Sequence, residues 1–163
     1  MEFMLNWENP FKKFFDQNPF EITGCNLFIF RDDGIPLYGN YKELDRNSVG
    51  ALMAGTWQAA NALSSFLKAK EKSEIFRFSY DTSESGIYIL PFSIKKNSFL
   101  LGVIFQGQIN PGLIKSKMRF MLDNLLQYVE NLKEEVPRLE RDNFLFNEIS
   151  DKEIDRLFAF ERN

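Results

Sequence analysis

Residues Asn47–Leu67, NSVGALMAGTWQAANALSSFL, carry no charged side chain in a protein that is 26% charged, and Gly and Ala punctuate the run. That is the composition of a helix covered along its length. A membrane crossing needs about 20 apolar residues, and the run is of that length. Yet Asn47, Thr56, Gln58, Asn61, Ser64 and Ser65 fall on every side of the helical wheel, where lipid would leave their polar groups unsatisfied. No membrane span is expected. At 3.6 residues per turn, Val49, Leu52, Met53, Thr56, Ala60, Leu63 and Leu67 form one stripe. Ala51, Gly55, Ala59, Ala62 and Phe66 form a second, with Trp57 and Gln58 between the two,. The first stripe is expected to cover a sheet of the same domain, and the second, smooth with Gly and Ala, to admit another element at short interaxial distance. A chain of 163 residues leaves little to supply that second layer from within,. The expectation is a homodimer, twofold pairs being the commonest assembly.

On the N-terminal side of this helix, Asn26–Arg31 (NLFIFR) and Ile35–Gly39 (IPLYG) bracket Asp32-Asp33-Gly34, which reads as a hairpin with Asp-Gly turn chemistry,. Further back, Asn9-Pro10 marks a helix start carrying Phe11, Phe14 and Phe15 on one face,. On the C-terminal side, Glu74–Tyr80 (EIFRFSY) alternates, with Phe76, Phe78 and Tyr80 on one side and Ile75, Arg77 and Ser79 on the other,. Gly86–Phe92 contains Pro91 near its end, and Phe99–Phe105 (FLLGVIF) is apolar throughout, as a central strand would be,. Asn110-Pro111 opens a long helix with Ile114, Met118, Met121, Leu125, Val129, Leu132 and Val136 on one stripe, and Pro137 stops it,. Beyond it, Ser150 and Glu153 form a capping box before a short amphipathic segment with Ile154, Leu157 and Phe158,. The order helix, two strands, helix, three strands, helix fits an α+β domain with a five-stranded antiparallel sheet flanked by helices.

Composition narrows the function classes. A net charge of −3 lacks the basic footprint that nucleic acid demands,. Cys25 is the only cysteine, which excludes an intrachain disulfide. With no signal peptide visible, it points to a reducing cytosol. Histidine is absent, which removes the commonest metal ligand and the commonest general base near neutral pH. Asp32 and Asp33 read as turn residues and Glu134 and Glu135 as a solvated helix face, so no catalytic residue, cofactor or metal is expected.

Several patterns together, RDDGIPLYG, ALMAGTWQAANAL, GIYIL, FLLGVIF and GLIKSKMRFML, resemble the roadblock family, of the dynein light chain type. Within it they are similar to the bacterial gliding-motility and polarity regulators of the MglB kind. The resemblance covers about residues 20 to 135, and Gly112-Leu113-Ile114-Lys115 is similar to the family's Gly-Leu-Val-Arg. It implies a roadblock-like (profilin-like) sandwich spanning residues 21–137; the N-terminal aromatic-rich helix over 1–20 and the C-terminal extension over 138–163 are departures that the resemblance does not explain. It further implies a homodimer with antiparallel central helices and third strands paired edge to edge. The paired helices would form a platform for one Ras-like small GTPase of the MglA kind. Carried onto this chain, the platform or twin-facing residues are Ala51, Ala54, Gly55, Gln58, Ala59, Asn61, Ala62 and Ser65, and the edge strand presents Ile75, Arg77 and Ser79. Pairing would also protect an aromatic-rich edge. Activators of GTPases often insert an arginine, but Arg46 and Lys68 only flank this helix. Stimulated hydrolysis would then work through the GTPase's own residues, and binding without stimulation stays equally open. Ile154, Leu157 and Phe158 suit either docking at home or laying a recognition helix into a partner's groove. Competing readings are a small-molecule sensor with its ligand between helix and sheet, and a dimerisation scaffold indifferent to nucleotide.

Overall fold

In a computed structural model the described residues are 7–40, 45–67 and 77–135, with side chains to 132. They form α1 (Glu8–Gln17), β1 (Cys25–Arg31), β2 (Pro36–Gly39), α2 (Arg46–Ser64), β3 (Phe78–Asp81), β4 (Ser85–Ile94), β5 (Asn97–Gln106) and α3 (Pro111–Glu135). The described residues up to Val129 form one compact unit. Ile75 and the segment with Ile154, Leu157 and Phe158 lie outside the described residues.

The strands make one antiparallel sheet in the order β2-β1-β5-β4-β3. The uninterrupted apolar run is β5, the middle strand, and its alternation shows why both faces are dry. Phe99, Leu101, Val103 and Phe105 share one core with Leu27 and Ile29 of β1, while Leu100 shares another with Phe28 and Phe30. Helices α1 and α3 cover the first face with Phe11, Phe14, Phe15, Ile114, Met118, Met121, Leu125 and Val129. α2 covers the second with Met53 and Ala54. At roughly 1.5–3 kcal/mol for each large apolar side chain buried, the α1/α3 layer carries most of the hydrophobic stabilisation.

α1 is part of this core rather than an appendage. Trp7 and Phe11 both meet the Phe99 ring edge-on at 5.5 Å, and Phe15 stacks on Tyr38 at 4.4 Å. The helix begins two residues before the expected start with Asn9 as cap and Pro10 as first helical residue, and Trp7, without a side-chain cap, precedes it. Pro10 still falls within the first turn, where the missing N–H has no intrahelical acceptor to lose. β4 and β5 run longer than expected, reaching Ile94 and Asn97. Pro91 sits inside β4 opposite Leu100 but beyond Ile89, the last residue of β4 paired with β3 among those described. Among the described residues β4 pairs there with β5 alone, and strands tolerate proline best where one side is unpaired,.

Candidate functional site: the outward face of α2 and the β3 edge

Asp45 caps α2. Its carboxylate accepts the Asn47 and Ser48 backbone N–H groups at 3.3 and 3.2 Å and also the Ser48 hydroxyl. These bonds, that from the hydroxyl first, hold the Asp45 carboxyl below its ordinary pKa of 3.8. The Arg46 guanidinium donates to the Gly39 carbonyl at 3.0 Å, tying the helix start to the end of β2. At the other end, backbone bonds from Ser65, Phe66 and Leu67 to Ala62, Leu63 and Ser64 carry the coil on to Leu67 in tighter turns.

The helix lies close to the sheet because its inward face is cut down. A Cβ on Gly50 would strike the Gly34 carbonyl oxygen and come within 2.9 Å of the Phe30 ring; a Cβ on Gly102 of β5 would strike the Met53 sulfur. Gly50, Met53 and Ala54 are the buried positions, with Val49 and Trp57 half-buried beside them. This rotates the helix away from the expected stripe. Met53 and Val49 do face the sheet, but Leu52, Leu63, Phe66 and Leu67 are 72%, 67%, 84% and 64% exposed, and Thr56 is exposed as well. Leu52, Leu63 and Leu67, expected on the sheet, point to solvent because the close seat leaves room only for small side chains at Gly50 and Ala54.

The proposed partner-facing residues divide accordingly. Ala51, Gly55, Gln58, Ala59, Asn61, Ala62 and Ser65 are exposed, and Gly55 has open space where a side chain would stand. Ala54 is corrected: at 3% exposure it packs into the core between helix and sheet. Gln58 donates to the Asp32 carbonyl at 3.4 Å, joining the helix to the β1–β2 turn. The outward face therefore combines small residues with large apolar ones and no charge between Arg46 and Ser64. Leu52, Leu63 and Phe66 were missed as surface residues, although with Gly55, Thr56 and Ala59 they recur at helical spacing as regularly as the stripe first assigned to the sheet.

β3 is the last strand of the sheet, and its outer edge has no strand beside it among the described residues. Arg77 immediately precedes it and is exposed; Ser79 is exposed within it, its hydroxyl donating to Asp81 at 3.2 Å. Tyr80 is 65% exposed and, two residues from Phe78, shares its α2-side face,. The thiol of Cys25 is buried and its pKa is raised by loss of solvent. No group of three or more His, Cys, Asp or Glu capable of holding a metal occurs among the described residues. No helix there is long and apolar enough to cross a membrane.

No family model and no curated protein compared with the chain matches it. Solved structures do. The gliding protein mglB from Thermus thermophilus superposes with a TM-score of 0.60 at 16% identity, over 76% of this chain and 91% of that one. MglB from Myxococcus xanthus gives 0.55 at 16% identity, over 81% and 93%. A roadblock/LC7 domain from Streptomyces avermitilis gives 0.51 at 10% identity, over 64% and 84%. The fold is the roadblock fold. The helix-to-sheet arrangement expected from the resemblance is thus observed, and at these identities the likeness speaks for the fold. Among the described residues, with α2 on one face of the sheet and α1 and α3 on the other, no further element covers the outward side of α2, and β3, like β2, is an outer strand.

Proposed function

We propose that this chain is a homodimeric regulator or scaffold of the roadblock type, whose paired α2 helices bind one Ras-like small GTPase of the MglA kind. The observation that carries this reading is the charge-free outward face of α2, where Leu52, Leu63, Phe66 and Leu67 stand in water beside Gly55 and Ala59. Contiguous exposed apolar surface of this kind marks an interaction site. Ala51, Gly55, Gln58, Ala59, Asn61, Ala62 and Ser65 meet the twin or the GTPase, and the β3 edge, with Ser79 and the flanking Ile75 and Arg77, pairs with its twin. The roadblock fold shared with MglB proteins supports the arrangement, and the open edge favours it, since pairing would satisfy otherwise unpaired backbone groups. Ile154, Leu157 and Phe158, outside the described residues, are a candidate second contact, to a partner or to the chain's own domain or twin.

With no arginine on the outward face and Arg46 bonded to Gly39, any stimulation of hydrolysis works by repositioning the GTPase's own groups. The test is calorimetric titration of the full chain with an MglA-type GTPase of the same organism, loaded in turn with GDP and with a non-hydrolysable GTP analogue. Binding of the GTP-like form alone, at one GTPase per dimer, is expected. Equal binding of both forms reduces the protein to a nucleotide-blind scaffold, and binding of neither removes the GTPase.

A further inference from the structure

On the sheet face opposite α2, a cleft of about 260 Å³ opens between β3–β4 and the first turns of α3. Its floor is apolar, from Tyr88, Leu90 and Met118, and three cations border it: Arg77 before β3, and Lys115 and Arg119 one turn apart on α3. Neither arginine has an ion pair among the described residues, where the one salt bridge joins Arg31 to Asp33. The Lys115 ammonium lies 4.5 Å above the Tyr88 ring. Among the described residues no acid lines the cleft. Of the described acids, Asp81 is engaged by the Tyr88 hydroxyl at 3.1 Å, and Asp123 stands one turn beyond Arg119. Among the described residues of a protein of net charge −3, this is a local concentration of positive charge.

We infer that this cleft binds an acidic peptide segment of a partner protein, with carboxylates on Arg77, Lys115 and Arg119 and one apolar side chain seated on Tyr88, Leu90 and Met118. The cations come from both walls of the cleft, Arg77 beside β3 and Lys115 and Arg119 on α3, an arrangement we match to successive carboxylates rather than to a single phosphate. Arginine forks match carboxylates in two-point geometry. The volume falls below the roughly 300 Å³ at which clefts begin to enclose a drug-sized ligand, and is in keeping with one leucine-sized anchor. The site does not depend on the GTPase reading, because α2 lies across the sheet. Both hold together in an adaptor that carries different partners on its two faces.

The test is titration of the isotope-labelled full chain with the probe acetyl-Glu-Asp-Leu-Glu-Asp-Glu amide, read by backbone amide shifts. Shifts confined to β3, β4 and the first turns of α3 are expected, with affinity falling about threefold in R119Q as one exposed ion pair is lost. Arg119 is exposed on α3, away from the β3 edge, so the thermal midpoint of that variant stays at the parent value; a lowered midpoint with an unchanged shift pattern would overturn its role as a ligand. Shifts elsewhere, none at all, or equal binding of the Gln/Asn version of the peptide would overturn the site. Tighter binding of inorganic phosphate at the same amides would overturn the peptide as its ligand.

Discussion

Gly50 and Gly102 both allow α2 to approach, but they differ in what an added methyl would meet. At Gly50 the obstacle is backbone, the Gly34 carbonyl, together with the Phe30 ring; at Gly102 it is the thioether of Met53. Backbone cannot step aside as a flexible methionine can. Gly50→Ala is therefore expected to cost about 2–3 kcal/mol, in the upper overpacking range, and Gly102→Ala about 1 kcal/mol. Urea unfolding of the two variants checks the order, and equal costs would contradict this account of the seat. Asp45 gives a pH signature. Its carboxyl titrates below 3.8 in the folded chain, so its contribution is complete above that value and fades as pH falls through the lower folded one. Asp45→Ala should lower the urea midpoint at neutral pH, with the gap to the parent closing as pH falls below 3.8,. Asp45 as the helix cap was only half legible in the sequence, where Asp45 and Asn47 both suit a helix start, and the structure chooses Asp45,. Ala54 as a core residue was not. A small side chain scores as surface or as interface on a helical wheel, and only the closeness of the sheet turns it into core.

At the scale of elements, α2 is the anomaly. α3 sends a full stripe of large side chains into the core, and that stripe was readable because Ile114, Met118, Met121, Leu125 and Val129 are bulky. α2 buries little beyond Gly50, Met53 and Ala54 and turns its leucines outward, so ranking its faces by hydrophobicity selects the wrong side. The strands were easier, because uninterrupted apolar runs identify central strands whichever side chain faces which helix. Gly55 tests what the outward face is for. It has open space around it, so within one protomer a glycine there only costs helix stability. Gly55→Ala should stabilise the isolated protomer by about 1 kcal/mol. Gly55→Arg, equally free of clashes at home, should raise the monomer fraction in sedimentation at micromolar concentration. An unchanged mass for the arginine variant would show that the twin does not meet this part of α2.

At the scale of the whole molecule, the sheet has one well-covered face and one thinly covered face, with an open edge at β3. A second copy would complete both the thin layer and the edge at once, so light scattering should give near twice 19.1 kDa, with dissociation on dilution accompanied by a lower thermal midpoint. A mass of one chain at micromolar concentration would remove the paired platform. The single cysteine adds a practical dimension to such work. Cys25 is the first residue of β1, buried and opposite Phe105, and its pKa is raised. Reagents that attack thiolates will therefore find it only when that end of the sheet opens. In the native chain its labelling rate is a clock for local unfolding. In any variant with a cysteine placed on the surface, the new thiol is the fast one, and maleimide dyes or cross-links fall at a chosen site without first removing a native residue.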